Sequence, residues 1–212
     1  MAMNCKPNAF QETIKHLAAR WSGATPLLPA FSLLARGDPV PIAHVADVAG
    51  VTVEELQMRL DAARCERDKH GCLIDLFGMT LRQTSISLEI EEKSVYSCCA
   101  LWAVMIPKLV RKKVVVRSTD PMCNEPIHLV ASPDAIEIVD PPGTMATLAV
   151  ADASVLAAGI GPAFCSQCRY FSSQQSAGRF VRTSNRGFIV SLKELHEAGR
   201  DLLCAIKSSL EK

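Results

Sequence analysis

The sequence lacks the marks of several large classes of protein. It contains no run of about 18 apolar residues, so we expect no transmembrane helix. Its formal net charge is only +1, from 23 basic and 22 acidic residues, which argues against a general polyanion binder. The first residues, Met1 to Lys6, are polar and lack the apolar segment of a signal peptide. We therefore expect a cytoplasmic protein whose partners include neither a membrane nor nucleic acid.

Motifs of common enzyme classes are missing as well. The chain has no Gly-rich phosphate loop and no Gly-x-Ser-x-Gly turn of the kind that carries a serine nucleophile. Its five histidines are scattered, and none is spaced from another as metal ligands usually are. These absences leave cysteine as the residue type best able to carry chemistry.

Cysteine is abundant, with nine residues in a chain of 212. The number is odd and Cys98 is adjacent to Cys99, which fits a disulfide framework poorly. In a reducing compartment we expect free thiols, some of them packed in the core as small hydrophobes. Apolar residues make up 49% of the chain, enough for a sizeable core in one large domain or two small ones.

The N-terminal part of the chain predicts a small helical domain. Residues 10–63 show helical apolar spacing, and two short helices flank Gly50. Thr52 and Glu55 form a capping box for the second of them. A polar hairpin then turns at residues 68–71, which completes the outline of a winged helix. The second helix is acidic, unlike a helix that reads a DNA groove, so a DNA-binding regulator is the weakest interpretation.

Strand patterns dominate from Gly78 onward, so the whole chain predicts an α+β fold. Apolar and polar residues alternate from Thr80 to Ile90. The chain ends with an amphipathic helix expected from Leu192 to Leu210. Further strands are predicted at 113–118, 127–130, 135–139, 145–150, 164–171 and 188–190, with a short helix at 151–160 and a polar helix or loop at 172–182.

The strongest candidate nucleophile is Cys99, in the middle of the chain. Apolar residues from Tyr96 to Pro107 recur at helical spacing, and Ser94 occupies the position of an N-cap. This pattern predicts that Cys99 lies in the first two turns of a helix that ends near Pro107. Unpaired backbone N–H groups and the positive end of the helix dipole favour a thiolate there, and lower a thiol pKa that is ordinarily about 8.5.

A second pair of thiols is found at Cys165 and Cys168. Their spacing resembles half of a zinc site or a redox dithiol. However, Cys98 and Cys99 are not spaced like a second half-site, and the strand-to-helix context of thioredoxins is missing. On a strand, Cys165 and Cys168 would point to opposite faces, which argues against Cys168 as a co-ligand. On a helix, Cys98 would point away from Cys99, and we expect it to be a core residue or a bystander.

A resemblance to a known family rests on matches that follow one another along the chain. They begin with Gly78-Met79-Thr80-Leu81-Arg82-Gln83-Thr84 and continue through Tyr96, Cys99-Ala100-Leu101 and Ile106-Pro107. In their order and spacing, over about residues 25–205, they resemble the alkylmercury lyases. Further matches are Val115 to Ser118, Pro126, Ser132-Pro133, Ile136, Val139 to Pro141, Phe164-Cys165, Phe171 and Ile189-Val190-Ser191.

The resemblance implies both a fold and a reaction. The fold has a helical, winged-helix-like domain at residues 1–80, followed at residues 81–212 by a catalytic domain of mixed, mainly antiparallel strands with packed helices. The reaction is cleavage of a carbon–mercury bond by protonolysis, giving a hydrocarbon and Hg(II). Soft thiolates bind soft Hg(II) strongly, and a second thiolate raises the electron density on mercury so that the carbon accepts a proton more readily.

The resemblance also implies the residues of the site. The two family cysteines correspond to Cys99, which would attack mercury, and Cys165, which would be the second sulfur ligand, so the two should meet in the fold. Tyr96 and Trp102 are expected in the substrate pocket. A further family cysteine corresponds to Asp120, with Cys123 as the nearest stand-in.

One family residue is replaced in this chain. The proton-handling carboxylate of the family lies three residues after the first cysteine, where this chain has Trp102. On a helix Trp102 would share a face with Cys99 and narrow the pocket, but an indole cannot exchange protons at neutral pH. Either the proton comes from Cys165 or another acid, or protonolysis is slow or absent.

Three functional hypotheses remain open. The chain is an organomercurial lyase-type enzyme, a protein that binds soft metals or organometals without turnover, or a homologue that acts on a non-mercury substrate. The first needs no cofactor: exogenous thiols would remove the transiently bound Hg(II), with cellular thiols or a mercuric reductase as acceptor. A Trp102→Asp substitution distinguishes these hypotheses, because it should raise carbon–mercury cleavage if the scaffold is otherwise intact.

Overall fold

The computed structural model of the chain describes residues 6–150, 163–184 and 187–208. Helices are combined with mainly antiparallel sheet, which confirms the predicted α+β class. The helix predicted at residues 151–160 lies outside the described residues. None of the helices within the described ranges has the length and apolar character needed to cross a bilayer.

The N-terminal part is helical, as predicted for residues 10–63. Leu17, Phe31 and Leu60 are fully buried and join these helices to the common core. Because their apolar faces point inward, these helices pack on the rest of the protein and share its core. The elements are α1 (Lys6–Trp21), a 3-10 helix (Ser22–Ala30), α2 (Phe31–Leu34), α3 (Ile42–Ala49) and α4 (Val53–Ala63).

The helices α3 and α4 form the predicted helix-turn-helix. α3 ends at Gly50, whose φ of 67° is a left-handed conformation that glycine adopts at little cost. Thr52 caps α4 by accepting a hydrogen bond from the Glu55 N–H at 3.1 Å, which confirms the predicted N-cap. On the same helix Arg59 pairs with Glu55 at 2.6 Å, so a carboxylate partly neutralises this cation.

The main sheet has seven strands that pair antiparallel in the order β1-β2-β4-β3-β5-β6-β7. Leu88 lies opposite Val95 and Val116, and these residues belong to the buried face. The predicted boundary at residue 80 falls within this sheet and stays a prediction. The strands are β1 (Asp75–Leu76), β2 (Met79–Thr80), β3 (Ile86–Ile90), β4 (Lys93–Ser97), β5 (Val114–Thr119), β6 (Pro126–Ala131) and β7 (Ile136–Asp140).

A smaller sheet of three antiparallel strands completes the C-terminal part. Its central strand is β8 (Met145–Leu148), flanked by β9 (Tyr170–Phe171) and β10 (Phe188–Ser191). Two helices accompany this sheet, α6 (Gln174–Ser184) and α7 (Leu192–Ser208). The predicted inward face of the last helix is confirmed, because its members are all buried: Leu192, Leu195, Ala198, Leu202, Leu203 and Ile206.

The helix α5 (Ala100–Val110) lies at the centre of the protein, and almost all of its residues are buried. It packs against the main sheet, against β8, and against α2 and α7. The approach to α7 is close at Gly199, where an added Cβ would lie 2.9 Å from Cγ of Met105. Because α5 is enclosed, groups at its N-terminal end are held inside the protein.

The start of α5 differs from the prediction. Residues 93–97 pair with β3 as a strand, so Ser94 is not an N-cap and the helix begins only at Ala100. The reason is a two-residue hairpin turn at Glu91 and Glu92, whose φ values of 49° and 67° return the chain along β3. The helix also continues past Pro107 to Val110.

The strand predicted from Phe164 to Phe171 is also wrong over most of its length. Cys165–Gln167 form a 3-10 turn, and only Tyr170–Phe171 belong to a strand. The Cys168 N–H donates to the carbonyl of Cys165 at 3.2 Å, which closes the turn instead of extending a strand. This local change decides where the second pair of thiols points.

Candidate functional site

Four thiols come together at the N-terminal end of α5. The sulfur atoms of Cys98, Cys99 and Cys165 lie within 4.8 Å of one another, and those of Cys98 and Cys165 are 3.2 Å apart. Cys168 is fully buried beside them and is hydrogen-bonded to Cys99 through its thiol. The structure thus brings Cys99 and Cys165 together, as the resemblance implied, and adds two cysteines that were expected elsewhere.

The junction between β4 and α5 positions the first pair of thiols. Cys99 occupies the N-cap with an extended backbone, φ −161° and ψ 167°. The Cys98 N–H donates to the carbonyl of Gly78 at 2.9 Å, and the Ser97 hydroxyl donates to the carbonyl of Cys99 at 3.0 Å. The expectation that Cys98 points away from Cys99 assumed a helix through both residues, and it is wrong because the chain is extended there.

The 3-10 turn positions the second pair of thiols. The Ala100 N–H has no acceptor within α5, because it lies at the start of the helix, and it donates to the carbonyl of Cys168 at 3.0 Å. The Thr147 hydroxyl fixes the same turn by donating to the carbonyl of Gln167 at 2.6 Å. These bonds hold Cys165 and Cys168 against the helix terminus, so the expectation that they point to opposite faces of a strand does not apply.

Cys99 is the thiol most ready to react. Burial raises its pKa, but hydrogen bonds from the thiols of Cys165, Cys168 and Cys98 and from the Trp102 backbone N–H outweigh that effect. The pKa of Cys99 therefore lies well below the ordinary thiol value, which favours a thiolate at Cys99 over one at the neighbouring cysteines. The positive end of the α5 dipole favours the same charge.

The other three thiols keep their protons. Hydrogen bonds that it donates to Cys165 and Cys99, together with burial, raise the pKa of Cys98 well above its ordinary value. The hydrogen bond from Cys98 lowers the pKa of Cys165. The hydrogen bond from Cys165 to Cys99, burial and the charges of Cys99 and Asp75 outweigh that effect, so the pKa of Cys165 is raised. Burial and a bond to Cys99 raise the pKa of Cys168. One thiolate is therefore surrounded by three proton-bearing thiols.

Asp75 is an acid near this cluster that the sequence analysis missed. Burial and the charge of Glu66 raise its pKa to about 7, and the charge of Arg82 opposes them. Asp75 lies opposite Thr80, and Thr80 lies opposite Tyr96, so these three residues share one face of the main sheet. Asp75 lies on a strand of only two residues, and the sequence does not show that this strand is joined through β2 to β4 and so to the thiols.

Trp102 is enclosed by apolar and backbone groups. Its side chain is 3% exposed, and its ring centroid lies 4.8 Å from that of Trp21 and 6.1 Å from that of Phe31. A Cβ at Gly78 would lie 2.4 Å from the indole, so the ring packs directly on this glycine. The indole fills the space between the N-terminal helices and the β1–β2 hairpin; its expected place in a substrate pocket stays a prediction.

Tyr96 and Asp120 are two further positions that the resemblance singled out. Tyr96 belongs to β4 and not to a helix, and it is half-buried on the face opposite to the buried Val95; its place in the pocket stays a prediction. Asp120 is a buried carboxylate that accepts hydrogen bonds from the Ser176 hydroxyl at 2.8 Å and from the Ser172 backbone at 2.8 Å. Cys123 is exposed, with its sulfur 3.6 Å from the Ser172 hydroxyl.

The chain matches family models over most of its length. Residues 79–204 match alkylmercury lyase, and residues 14–76 match the helix-turn-helix domain of alkylmercury lyase. The two matches together cover the helix-turn-helix, both pairs of thiols and most of α7.

Named relatives and one solved structure agree with these matches. The chain is 29% identical to the alkylmercury lyase of Staphylococcus epidermidis, over 82% of this chain and 79% of that protein. It is 30% identical to the alkylmercury lyase of Bacillus cereus, over 81% and 78%, and 31% identical to that of Pseudomonas putida, over 76% and 74%. A crystal structure of the mercury-bound form of MerB2 shares the fold with a TM-score of 0.76 at 17% identity, over 92% of this chain and 99% of that one.

Proposed function

The chain belongs to the alkylmercury lyase family, and from that premise we propose that it cleaves the carbon–mercury bond of organomercurials to give a hydrocarbon and Hg(II). The observation that carries the proposal is the buried cluster in which Cys99 and Cys165 lie within 4.8 Å of each other and of Cys98. Sulfur is the ligand type that soft mercury prefers, and the cluster offers it at two points from different segments of the chain.

The first step is capture of mercury by Cys99. Its thiolate displaces the anion or thiolate that accompanies the organomercurial, and an organomercury–Cys99 bond forms. Cys99 is the thiolate of the cluster because its pKa is lowered. Its position at the helix N-cap stabilises the negative charge until the sulfur bonds to mercury. The carbon–mercury bond is still intact at this point.

The second step joins Cys165 to mercury and cleaves the carbon–mercury bond. The Cys165 thiol carries the proton that the carbon needs, because its pKa is raised. As the sulfur of Cys165 bonds to mercury, its proton passes to the carbon and the electron pair of the carbon–mercury bond forms the new carbon–hydrogen bond. One thiol is consumed, one hydrocarbon leaves, and Hg(II) remains bound to the sulfurs of Cys99 and Cys165, with no change of oxidation state.

No cofactor takes part in this scheme. Hg(II) leaves by exchange with exogenous thiols, and cellular thiols or a mercuric reductase are the expected acceptors. Trp102 supplies no proton and instead excludes water beside the cluster, since it is 3% exposed.

A second candidate function is binding of soft metals or organometals without turnover. It is favoured by one observation: the position three residues after Cys99 is a tryptophan, while the site holds more thiols than the two that cleavage requires. Such a protein would keep mercury and release no hydrocarbon.

The test is incubation of the purified protein with phenylmercury and excess thiol, following benzene release by gas chromatography. We expect catalytic release that is lost in Cys99→Ser and in Cys165→Ser. The matched control is Cys204→Ser, which alters an exposed cysteine on α7 and should keep the wild-type rate. If the wild type binds mercury stoichiometrically but releases no benzene, the binding function replaces the lyase function.

A further inference from the structure

We infer that Cys98 is a third sulfur ligand, so that the site holds Hg(II) as a trigonal complex of three thiolates, Cys98, Cys99 and Cys165. The proposed function supplies the ion as its product and needs only two of these sulfurs. The inference rests on the proposed function for the origin of the ion, but binding can be tested with Hg(II) added directly.

The distances fit a trigonal site. A metal–thiolate bond of about 2.3 Å places three sulfurs around a trigonal ion about 4 Å apart, and slightly more for an ion as large as mercury. The three sulfurs here lie within 4.8 Å of one another, with the closest pair, Cys98 and Cys165, at 3.2 Å. To reach the ideal spacing, the Cys98 and Cys165 sulfurs would have to separate by about 1 Å.

The backbone fixes two of the three ligands at adjacent positions. The Cys98 N–H is bonded to the Gly78 carbonyl at 2.9 Å, and the Cys99 carbonyl accepts bonds from the Ser97 hydroxyl and the Ala103 N–H, each at 3.0 Å. Such a fixed pair loses little entropy when it binds an ion. Cys98 as a whole residue is half-buried, whereas Cys99 and Cys165 are buried.

The chemistry of the donor set selects soft ions. The group that could hold a metal consists of sulfur atoms alone, without a carboxylate or an imidazole. Thiolates favour Hg(II) and other soft ions over Mg²⁺ and Ca²⁺, which prefer oxygen. Cys168 is not a member of the group, and its sulfur accepts a hydrogen bond from the Ala149 N–H at 3.4 Å.

The proton balance is defined for both routes into the site. Free Hg(II) binds the Cys99 thiolate and the thiols of Cys98 and Cys165, so two protons pass to the solvent and the complex carries one negative charge. After cleavage of an organomercurial, the Cys165 proton is already on the hydrocarbon, and only the Cys98 proton passes to the solvent. No oxidant or reductant is needed in either case.

The test is anaerobic titration of the fully reduced protein with HgCl₂, followed by ultraviolet charge-transfer absorption and by competition with dithiothreitol. Three-coordinate mercury thiolates absorb at longer wavelength than two-coordinate ones. We expect the three-coordinate spectrum in the wild type, the two-coordinate spectrum in Cys98→Ala, and at least about tenfold easier removal of mercury from this variant. Cys204→Ser, which changes an exposed cysteine outside the cluster, is the control and should match the wild type.

The outcomes separate the two proposals. A two-coordinate spectrum in the wild type, or an unchanged spectrum in Cys98→Ala, would overturn the third ligand whatever the lyase activity. A three-coordinate spectrum in a protein that releases no benzene would retain the third ligand and reject the lyase function. If Cys98→Ala does not fold, as judged by circular dichroism, Cys98→Ser provides the same comparison, because a hydroxyl is a poor ligand for mercury.

Discussion

The first turn of α5 has a thiol cluster on one side and aromatic packing on the other. On one side, Cys99 faces three thiols that come from the preceding strand and from the 165–168 turn. On the other side, Trp102 faces Trp21, Phe31 and the bare backbone of Gly78. The comparison teaches that a position expected to carry an acid is used here for packing, and the proposed function therefore takes its proton from a thiol, Cys165.

The two sides are nevertheless joined through Gly78. Its Cα supports the indole of Trp102, and its carbonyl accepts the hydrogen bond from the Cys98 N–H at 2.9 Å. The aromatic packing therefore helps to place the backbone of the thiol pair. Changes on the packing side should reduce stability strongly, and changes on the thiol side should affect chemistry with little loss of stability.

The largest expected effect is from Gly78→Ala. Its φ of 99° is unfavourable for alanine, and the added Cβ would lie 2.4 Å from the Trp102 ring. Backbone strain and overpacking together should lower the free energy of unfolding by about 3–5 kcal/mol. Urea unfolding followed by circular dichroism measures the change.

A matched glycine isolates the clash from the backbone strain. Gly71 also has a positive φ, 78°, but an added Cβ there meets nothing within 4 Å. Gly71→Ala should therefore cost only about 1–2 kcal/mol. Equal losses in Gly71→Ala and Gly78→Ala would mean that the indole does not pack on Gly78.

The next largest effect is expected from Trp102→Asp, which removes the packed indole and introduces a carboxyl group. Removing the buried indole should cost about 3–5 kcal/mol. A carboxyl group in this apolar place should have a raised pKa and hold a proton beside Cys99, so cleavage per folded molecule should rise. Benzene release, normalised to the folded fraction, measures this change.

Trp102→Asn is the control for that experiment, because its side chain has the same size as Asp and cannot act as an acid. Both variants should lose similar stability, but only Trp102→Asp should gain cleavage. Equal rates in the two variants would show that an acid at residue 102 does not reach the carbon.

Sequence reasoning succeeded where structure is set by neighbouring residues. The capping of α4 by Thr52 and the buried face of α7 follow from local patterns, and both are present. It failed where distant segments meet: residues 165–167 form a 3-10 turn instead of a strand, and the Cys168 carbonyl at the end of that turn accepts a hydrogen bond from the Ala100 N–H. The resemblance to a family predicted that Cys99 and Cys165 meet, which the structure confirms, but gave no indication of Cys98.

A moderate effect is expected from Asp75, because ionisation of this buried carboxyl group makes the stability of the protein depend on pH. Its folded-state pKa of about 7 lies above the unfolded value of about 4, so the folded protein is most stable below about pH 4 on this account and loses stability up to about pH 7. Asp75→Asn should remove this loss and gain roughly 2 kcal/mol at pH 8 relative to the wild type, after allowance for partial exposure. Urea unfolding across this pH range measures the difference.

Asp68→Asn is a control of opposite sign. The pKa of Asp68 is lowered by hydrogen bonds from the backbone N–H groups of Cys72 and His70. Its contribution to stability is present above the unfolded pKa and is lost as the pH falls through the folded value, so Asp68→Asn should not gain stability at pH 8. A gain in both variants would indicate a general effect of net charge and not the burial of Asp75.

The smallest expected effect tests whether the thiol side also depends on packing. The Tyr170 hydroxyl donates to the carbonyl of Ala100 at 3.1 Å, and burial and the Cys99 charge raise its pKa, so it remains a donor. Tyr170→Phe removes this bond and should cost about 1 kcal/mol in urea unfolding, with mercury affinity unchanged, because the Ala100 N–H to Cys168 bond still holds the turn. Tyr96→Phe, on the opposite face of β4 from the buried Val95, should cost less. A large fall in mercury affinity in Tyr170→Phe would mean that this single hydroxyl, and not the backbone network, sets the geometry of the thiols.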